Sequence, residues 1–144
     1  MSAVTVVPME EVHLSALSEL EKQCFSSPWS EEALREELQN PCAHFHVALC
    51  DGAVAGYLGC HHIGGEGFVT NVAVFPAFRR RGIARALIAA ALDAPIERLS
   101  LEVRVSNEPA IALYASLGFV NEGRRPHFYT HPDEDAFIYS YYRS

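Results

Sequence analysis

The sequence lacks the features that mark several large classes of protein. No apolar run among its 144 residues reaches the roughly 18 residues that a membrane span needs. Its first residues, MSAVTVVPMEE, lack the basic region and longer apolar core of a signal peptide. It also shows no internal repeat, linker or low-complexity segment. We therefore expect a cytoplasmic protein without a membrane partner, with one domain over residues 1–144.

The cysteines and histidines lack the spacing of a metal site. The cysteines at positions 24, 42, 50 and 60 form no C-x-x-C pair and lie among apolar neighbours, which favours reduced and mostly buried thiols. His44 and His46 would share one face of a strand, but no third ligand accompanies them. The sequence therefore predicts no metal.

Positive charge is scarce, which argues against a general nucleic-acid binder. Eleven Lys and Arg residues stand against 18 Asp and Glu residues, for a net charge of −7. An acidic chain suits a basic peptide partner better. The exception is RRRGIA, Arg79–Ala84, where three consecutive arginines precede a glycine.

Hydrophobic periodicity and turn residues predict an α/β protein of the α+β type. Strand and helix patterns alternate along the chain, and Asp51-Gly52 is a strong hairpin signal. We expect a mixed, mostly antiparallel sheet flanked by helices. In chain order, the predicted elements are a strand at 3–7, helices at 10–25 and 31–39, two strands within 44–63, a strand at 68–75, a helix at 82–92, a strand at 98–105, a helix at 107–119, and strands around 119–123 and 136–142.

The basic turn before the helix at 82–92 has the properties of a phosphate site. The first amides of a helix lack intrahelical partners, and Gly82 would let an anion approach the backbone closely. Arginine adds charge-assisted hydrogen bonds to phosphate oxygens. The turn matches neither the nucleotide loop G-x-x-x-x-G-K-[ST] nor the dinucleotide fingerprint G-x-G-x-x-G. It suits a diphosphate held without metal, and the alternative is a solvated basic patch.

RRRGIA is similar to the R/Q-x-x-G-x-G/A signature of the GNAT superfamily of N-acetyltransferases, and the order of elements agrees with that fold. The resemblance implies that this turn binds the pyrophosphate of acetyl-CoA. It also implies that the strand before the turn pairs with the pantetheine arm and splays from the next strand. The cofactor-binding residues implied in this way are Val72, Ala73, Val74, Arg79, Arg80, Arg81, Gly82, Ile83, Ala84, Arg85 and Asn107.

Three further motifs resemble the ribosomal-protein alanine N-acetyltransferases of the RimI type. These are LEVRVSNEPAIALYASLGF from Leu101, FSSPWSEEAL from Phe25, and RRPHFYTHPDEDAFIY from Arg124. The resemblance implies transfer of acetyl to the N-terminal α-amino group of a protein, with the alanine of a small-subunit ribosomal protein as the expected acceptor.

The same resemblance assigns catalytic roles to two residues. Glu102 would act as general base, through a water, and Tyr114 would protonate the departing thiolate. Strand alternation places Glu102 and Arg104 on one face, and the alternative for Glu102 is an ion pair with a nearby arginine. Tyr114 could instead be a core aromatic, and Asn107 an N-cap. The acceptor groove is assigned to Phe25, Trp29, Asn71 and Tyr129, with Phe128 beside them.

Other functions remain open at this point. One is acetylation of lysine or of a small-molecule amine. Another is a non-catalytic acyl-CoA-binding module on the same fold, which would need neither Glu102 nor Tyr114. The third, disfavoured by the net charge, is a nucleic-acid binder that uses Arg79, Arg80, Arg81 and Arg85.

Overall fold

A computed structural model describes residues 3–143, and within them seven strands form one sheet. The strands are β1 (Val4–Pro8), β2 (His46–Cys50), β3 (Ala53–Ile63), β4 (Glu66–Val74), β5 (Arg98–Arg104), β6 (Val120–Tyr129) and β7 (Glu134–Tyr142). The α-helices are α1 (Leu14–Cys24), α2 (Glu31–Glu37), α3 (Ile83–Leu92) and α4 (Glu108–Ser116). Short 3-10 turns occupy Glu11–His13 and Pro76–Phe78.

The sheet is mixed and mostly antiparallel, as predicted, and it opens in the middle. Its strand order is β1-β2-β3-β4-β5-β7-β6, and the neighbouring strands β4 and β5 run parallel. Their pairing joins 66–68 to 98–100 and goes no further. Residues 69–74 of β4 are therefore not paired with β5, which leaves a gap at the centre of the sheet.

Two apolar layers cover opposite faces of this sheet. On one face, the predicted stripe of α3 is buried with Leu99, Leu101 and Val103 of β5. On the other, the leucines of α1 and α2 are buried with Val47 and Tyr57. The stripe of α3 is Ile83, Leu87, Ile88 and Ala91, and the predicted helical spacing is confirmed there.

The chain differs from the expected pattern in a few places. The first helix starts as a 3-10 turn, and α2 ends at Glu37 rather than at residue 39. Strand β6 continues to Tyr129, beyond the predicted 119–123, because pairing with β7 extends it through a segment of weak strand propensity. Of the cysteines, Cys50 and Cys60 are buried, whereas Cys42 is exposed.

Within residues 3–143, no group of three or more His, Cys, Asp or Glu side chains is arranged to hold a metal ion. None of the helices described there is long and apolar enough to cross a membrane.

We expect a histidine cluster at β2 and β3, formed by His44, His46 and His62, to make stability depend on pH. The rings of His44 and His62 stack with centroids 3.7 Å apart, and His46 lies close by. Burial, and then the charge of the neighbouring histidines, lowers the pKa of His46 and of His62 below the ordinary value. As the pH falls below about 6.5, each of these histidines takes up a proton more readily in the unfolded chain than in the folded one. The free energy of unfolding therefore decreases as the pH is lowered through this range.

We expect His62→Gln to lose less stability than the wild type when the pH is lowered from 7.5 to 5.5, because glutamine does not titrate. Urea unfolding at both pH values measures this difference. Because both proteins contain the other titrating groups, the contribution of those groups to the loss of stability cancels in the comparison. Equal losses in both would show that His62 keeps its ordinary pKa in the folded chain.

Candidate active site

The gap between β4 and β5 widens into a cleft of about 630 Å³. Its walls come from both strands, from the segment after α1, from α4 and from the β6–β7 loop. The cleft brings together both predicted catalytic residues and the predicted acceptor residues, although these lie up to about 100 positions apart in the chain. The lining includes Phe25, Trp29, Asn71, Val72, Glu102, Asn107, Tyr114, Phe128 and Tyr129.

Main-chain groups of β4 point into this gap. The amide of Phe75 donates to the carbonyl oxygen of Ala55. In an antiparallel pair, the backbone groups of every second residue point to the same neighbouring strand, so the amide and carbonyl of Ala73 also point toward β3. Val72 and Val74 then present their amides and carbonyls on the side that β5 has left. The structure therefore brings the backbones of Val72 and Val74 to the gap, where Val72 lines the cleft, whereas the backbone of Ala73 faces β3.

The turn before α3 forms a second cavity, of about 310 Å³, at the other end of the gap. Arg80 and Gly82 both have left-handed backbones, with φ of 65° and 74°. Such left-handed residues turn successive amides toward one side, which is the geometry of anion sites. A Cβ on Gly82 would meet nothing within 4 Å, so its backbone lies open to the cavity. The lining includes Val74, Arg79, Arg80, Gly82, Ile83, Ala84 and Arg85.

The arginines in and beside this turn contact different partners, and the structure brings Arg79, Arg80 and Arg85, but not Arg81, to the lining of the cavity. Nε of Arg79 donates to the Val74 carbonyl at 3.4 Å, and Nη2 of Arg85 donates to Oγ of Ser116 at 3.1 Å. The Arg81 guanidinium lies 5.6 Å from the centre of the Phe78 ring. Arg79, Arg80 and Arg85 line the cavity together with the first residues of α3, so positive charge lies beside helix amides, and these residues fit a diphosphate.

Glu102 projects from β5 on the face opposite Leu101 and Val103, as strand alternation predicts. Its side chain is 29% exposed. Oε1 lies 3.7 Å from Nε of Arg125, which is longer than a hydrogen bond, and Arg125 is itself largely exposed. Glu102 therefore forms an ion pair with Arg125, as in the alternative interpretation, but the pair is exposed and lacks a hydrogen bond, so the carboxylate stays accessible to a substrate or a water.

Tyr114 lies on α4, and its side chain is buried in the core. Its ring contacts Phe119 at a centroid distance of 5.8 Å. Burial raises the pKa of Tyr114 to about 12, so the hydroxyl stays protonated at neutral pH. Asn107 caps α4, with Oδ1 accepting a hydrogen bond from the amide of Ala110 at 3.3 Å. Both side chains border the cleft, and the N-cap interpretation of Asn107 holds alongside its place there.

Arg104 was not predicted as a site residue, and it organises the β6–β7 loop. It donates to the Pro132 carbonyl and to Oε1 of Glu134, both at 3.1 Å, and lies 4.3 Å above the Tyr129 ring. Burial, followed by the Glu102 carboxylate, raises the pKa of Tyr129 to about 12. The sequence did contain a signal for Arg104, because this residue follows Glu102 by two positions and therefore lies on the same face of the strand.

Glu21 was also missed, although α1 places it in the cleft wall and it is almost fully buried. Nδ2 of Asn71 donates to its Oε2 at 3.4 Å. Oδ1 of Asn71 accepts a short hydrogen bond from Thr70, so both ends of the Asn71 amide are engaged. Leu14, Leu17, Glu21 and Cys24 follow helical spacing, and a carboxylate on an apolar stripe was the signal available.

The comparisons with known proteins agree with this geometry. The model of the acetyltransferase (GNAT) family matches residues 14–119. An N-alpha-acetyltransferase RimI from Mycobacterium tuberculosis is 36% identical over 141 residues, covering 93% of this chain and 89% of the relative. A [ribosomal protein bS18]-alanine N-acetyltransferase from Escherichia coli is 34% identical, covering 93% and 94%.

A solved structure gives the same result at the level of the fold. The crystal structure of the ribosomal-protein-S18-alanine N-acetyltransferase from Escherichia coli superposes with a TM-score of 0.89 at 32% identity, covering 99% of this chain and 95% of that one. A split sheet with a diphosphate-type turn at the head of a helix defines an acyl-CoA-dependent transferase fold. The chain belongs to the GNAT acetyltransferase family, and it is an N-acetyltransferase.

Proposed function

We propose that the protein transfers the acetyl group of acetyl-CoA to the N-terminal α-amino group of a protein, and that its acceptor is the N-terminal alanine of a small-subunit ribosomal protein. The activities for which the relatives from Escherichia coli and Mycobacterium tuberculosis are named support this acceptor class. The observation that carries the proposal is the cleft itself. It holds Glu102 and Tyr114 together, and β4 connects it with the phosphate-type turn.

The donor end of the site follows from the turn and the open strand edge. Arg79, Arg80, Arg81 and Arg85 supply charge for the diphosphate, and the amides from Gly82 through Ala84 supply donors. The backbones of Val72 and Val74 offer hydrogen bonds to an extended amide chain, as a neighbouring strand would. Acetyl-CoA supplies a thioester, whose acetyl group is the one transferred.

At the acceptor end, Glu102 removes the proton from the incoming ammonium, either directly or through a water. Because an N-terminal amine has a pKa of about 7.7–8.0, against about 10.4 for lysine, a carboxylate on the strand is a sufficient base for it. The resulting amine attacks the thioester carbonyl, and a backbone amide of the open β4 edge stabilises the charge that develops on its oxygen. Holding both reactants in one cleft supplies much of the acceleration.

Tyr114 donates its hydroxyl proton toward the departing sulfur. We expect Tyr114→Phe to lower kcat by about 10- to 100-fold, because the leaving group then lacks its donor. The loss should be constant from pH 7 to pH 9.5, since a pKa of about 12 keeps the wild-type hydroxyl protonated throughout. Steady-state kinetics against pH measure both features. A loss that grows or vanishes within that range would contradict the assignment.

Mass spectrometry of peptides incubated with acetyl-CoA tests the acceptor. The panel is a decapeptide that begins with the N-terminal sequence of a bacterial bS18 protein, the same peptide with a blocked N-terminus and an internal lysine, and spermidine. We expect acetylation at the free N-terminal alanine of the first peptide. Acetylation of the blocked peptide or of spermidine at an equal rate would favour the lysine or small-amine alternative instead.

A further inference from the structure

Glu21 places a carboxylate in the cleft wall that the proposed mechanism does not use. The residue is 1% exposed. It lies in the last turn of α1, where the helix dipole is negative, so both burial and position oppose its charge. An apolar side chain of similar volume would fill the space at a lower electrostatic cost. The carboxylate therefore calls for an explanation other than packing.

The donors around Glu21 come from separate parts of the cleft. Oε1 accepts a hydrogen bond from the amide of Trp29 at 2.8 Å, in the segment between α1 and α2. Oε2 accepts from the Tyr57 hydroxyl on β3 at 2.7 Å and from Nδ2 of Asn71 on β4 at 3.4 Å. Burial and the adjacent carboxylate raise the pKa of Tyr57, which keeps this donor protonated. One side chain thus links a loop to the two strands beneath it.

The strand that Glu21 holds is irregular at this point. Opposite β3, Gly59 faces Asn71 and Cys60 faces Val69, so Thr70 is the extra residue of a β-bulge. A Cβ on Gly59 would lie 2.6 Å from Oγ1 of Thr70 and 2.7 Å from Oδ1 of Asn71. The Asn71 amide is thus packed against the bare backbone of Gly59. Bulges of this kind re-aim side chains beside active sites, and residues 69–72 line the cleft.

We propose that Glu21 is a positioning residue for the acceptor: its carboxylate fixes the Trp29 segment and the Asn71 bulge relative to each other, and so sets the shape of the acceptor end of the cleft. This inference rests on the proposed function for the nature of the acceptor. Glutamine cannot replace the carboxylate, because its single oxygen serves either Trp29 or the strand donors. Its amide nitrogen would then face another donor.

Glu21→Gln should raise the acceptor KM about tenfold, since one buried donor is left unsatisfied. The KM for acetyl-CoA should stay within about twofold, because the donor turn is built by other residues. Tyr57→Phe is the matched control. It removes one hydrogen bond to the same oxygen and leaves the links to Trp29 and Asn71, so its acceptor KM should stay close to wild type. Equal effects of both substitutions, or equal effects on both KM values, would overturn the proposal.

Trp29, the single tryptophan of the chain, gives a readout that needs no acceptor. In Glu21→Gln, its fluorescence should shift to longer wavelength and its quenching by acrylamide should rise, because the segment loses its anchor. Tyr57→Phe should leave both unchanged. Failure of the wild type to acetylate the alanine peptide would count against the proposed function, whereas an unchanged Trp29 signal in Glu21→Gln would overturn the role of Glu21.

Asn71→Ala tests the strand link alone, and serves also if Glu21→Gln does not fold. It should raise the acceptor KM by several-fold while the Trp29 signal stays as in the wild type. If both variants fold, their effects on the acceptor KM should combine to less than their product, because the residues act through one contact. An unchanged acceptor KM in Asn71→Ala, or fully multiplicative effects, would overturn the proposal.

Discussion

Glu102→Gln should lower kcat by about 100-fold or more at pH 7, because general-base catalysis contributes about 10²- to 10⁴-fold. The side chain keeps its shape and its place on β5, so the loss reports on the carboxylate. The substitution also removes the ion pair with Arg125 at 3.7 Å, but an exposed pair contributes only about 0–1 kcal/mol to stability, which is too little to explain a loss of this size. Steady-state kinetics with a saturating alanine peptide measure the change.

The pH dependence identifies what Glu102 does. At pH 7 about a tenth of an N-terminal amine with a pKa near 8 is neutral, and at pH 9 nearly all of it is. The variant lacks a base and should use only the neutral fraction, so its deficit should shrink about tenfold between these pH values. A deficit that is the same at both would mean that Glu102 does not take the proton of the amine.

Glu36→Gln is the control for this substitution. Glu36 is an exposed glutamate on α2 that lines neither cavity, so the same chemical change there should leave kcat and its pH profile unaffected. Acetyl-CoA affinity, measured by calorimetry, should be equal in all three proteins. A loss of affinity in Glu102→Gln would point to a damaged cleft instead of a missing base.

The geometry and charge of the basic turn before α3 could be predicted because their determinants are local. Arg79 to Ala84 lie together in the sequence, and a strand, a glycine and a helix start in that order suffice to expose amides and place charge beside them. The same holds for the alternation that puts Glu102 and Arg104 on one face of β5. The exposed amides of the turn and the shared face of Glu102 and Arg104 both follow from short-range geometry, and both are present in the structure.

The part of the cleft where we propose that the acceptor binds could be predicted only in part, because distant segments of the chain form it. Glu21 meets Tyr57 and Asn71 across 36 and 50 positions, and no local pattern specifies that meeting. The loop held by Arg104 depends likewise on β6 pairing with β7 as far as Tyr129. The contacts of Arg104 with this loop depend on which strands are neighbours in the sheet, and the sequence alone did not establish the strand order.

Gly82→Val should weaken acetyl-CoA binding by about 100-fold or more. A side chain there occupies the open space over the first amides of α3, and losing two hydrogen bonds to a charged diphosphate accounts for a change of this size. Because no atom lies within 4 Å of a Cβ at this position, the folded chain has room for it. Calorimetric titration with acetyl-CoA, and with CoA, measures the loss.

Gly82→Val could also act through backbone strain, because Gly82 has a φ of 74° that a β-branched residue adopts at a cost of about 1–2 kcal/mol. A control must therefore separate the effect of this strain from the blocking of the diphosphate site. Gly52→Val provides the comparison. Gly52 has a φ of 86° and similarly open space, and it lies in the β2–β3 turn, outside both cavities. Both variants should lose similar thermal stability, and only Gly82→Val should lose acetyl-CoA. If Gly82→Val binds as the wild type does, the diphosphate lies elsewhere, and the donor site proposed for this turn is wrong.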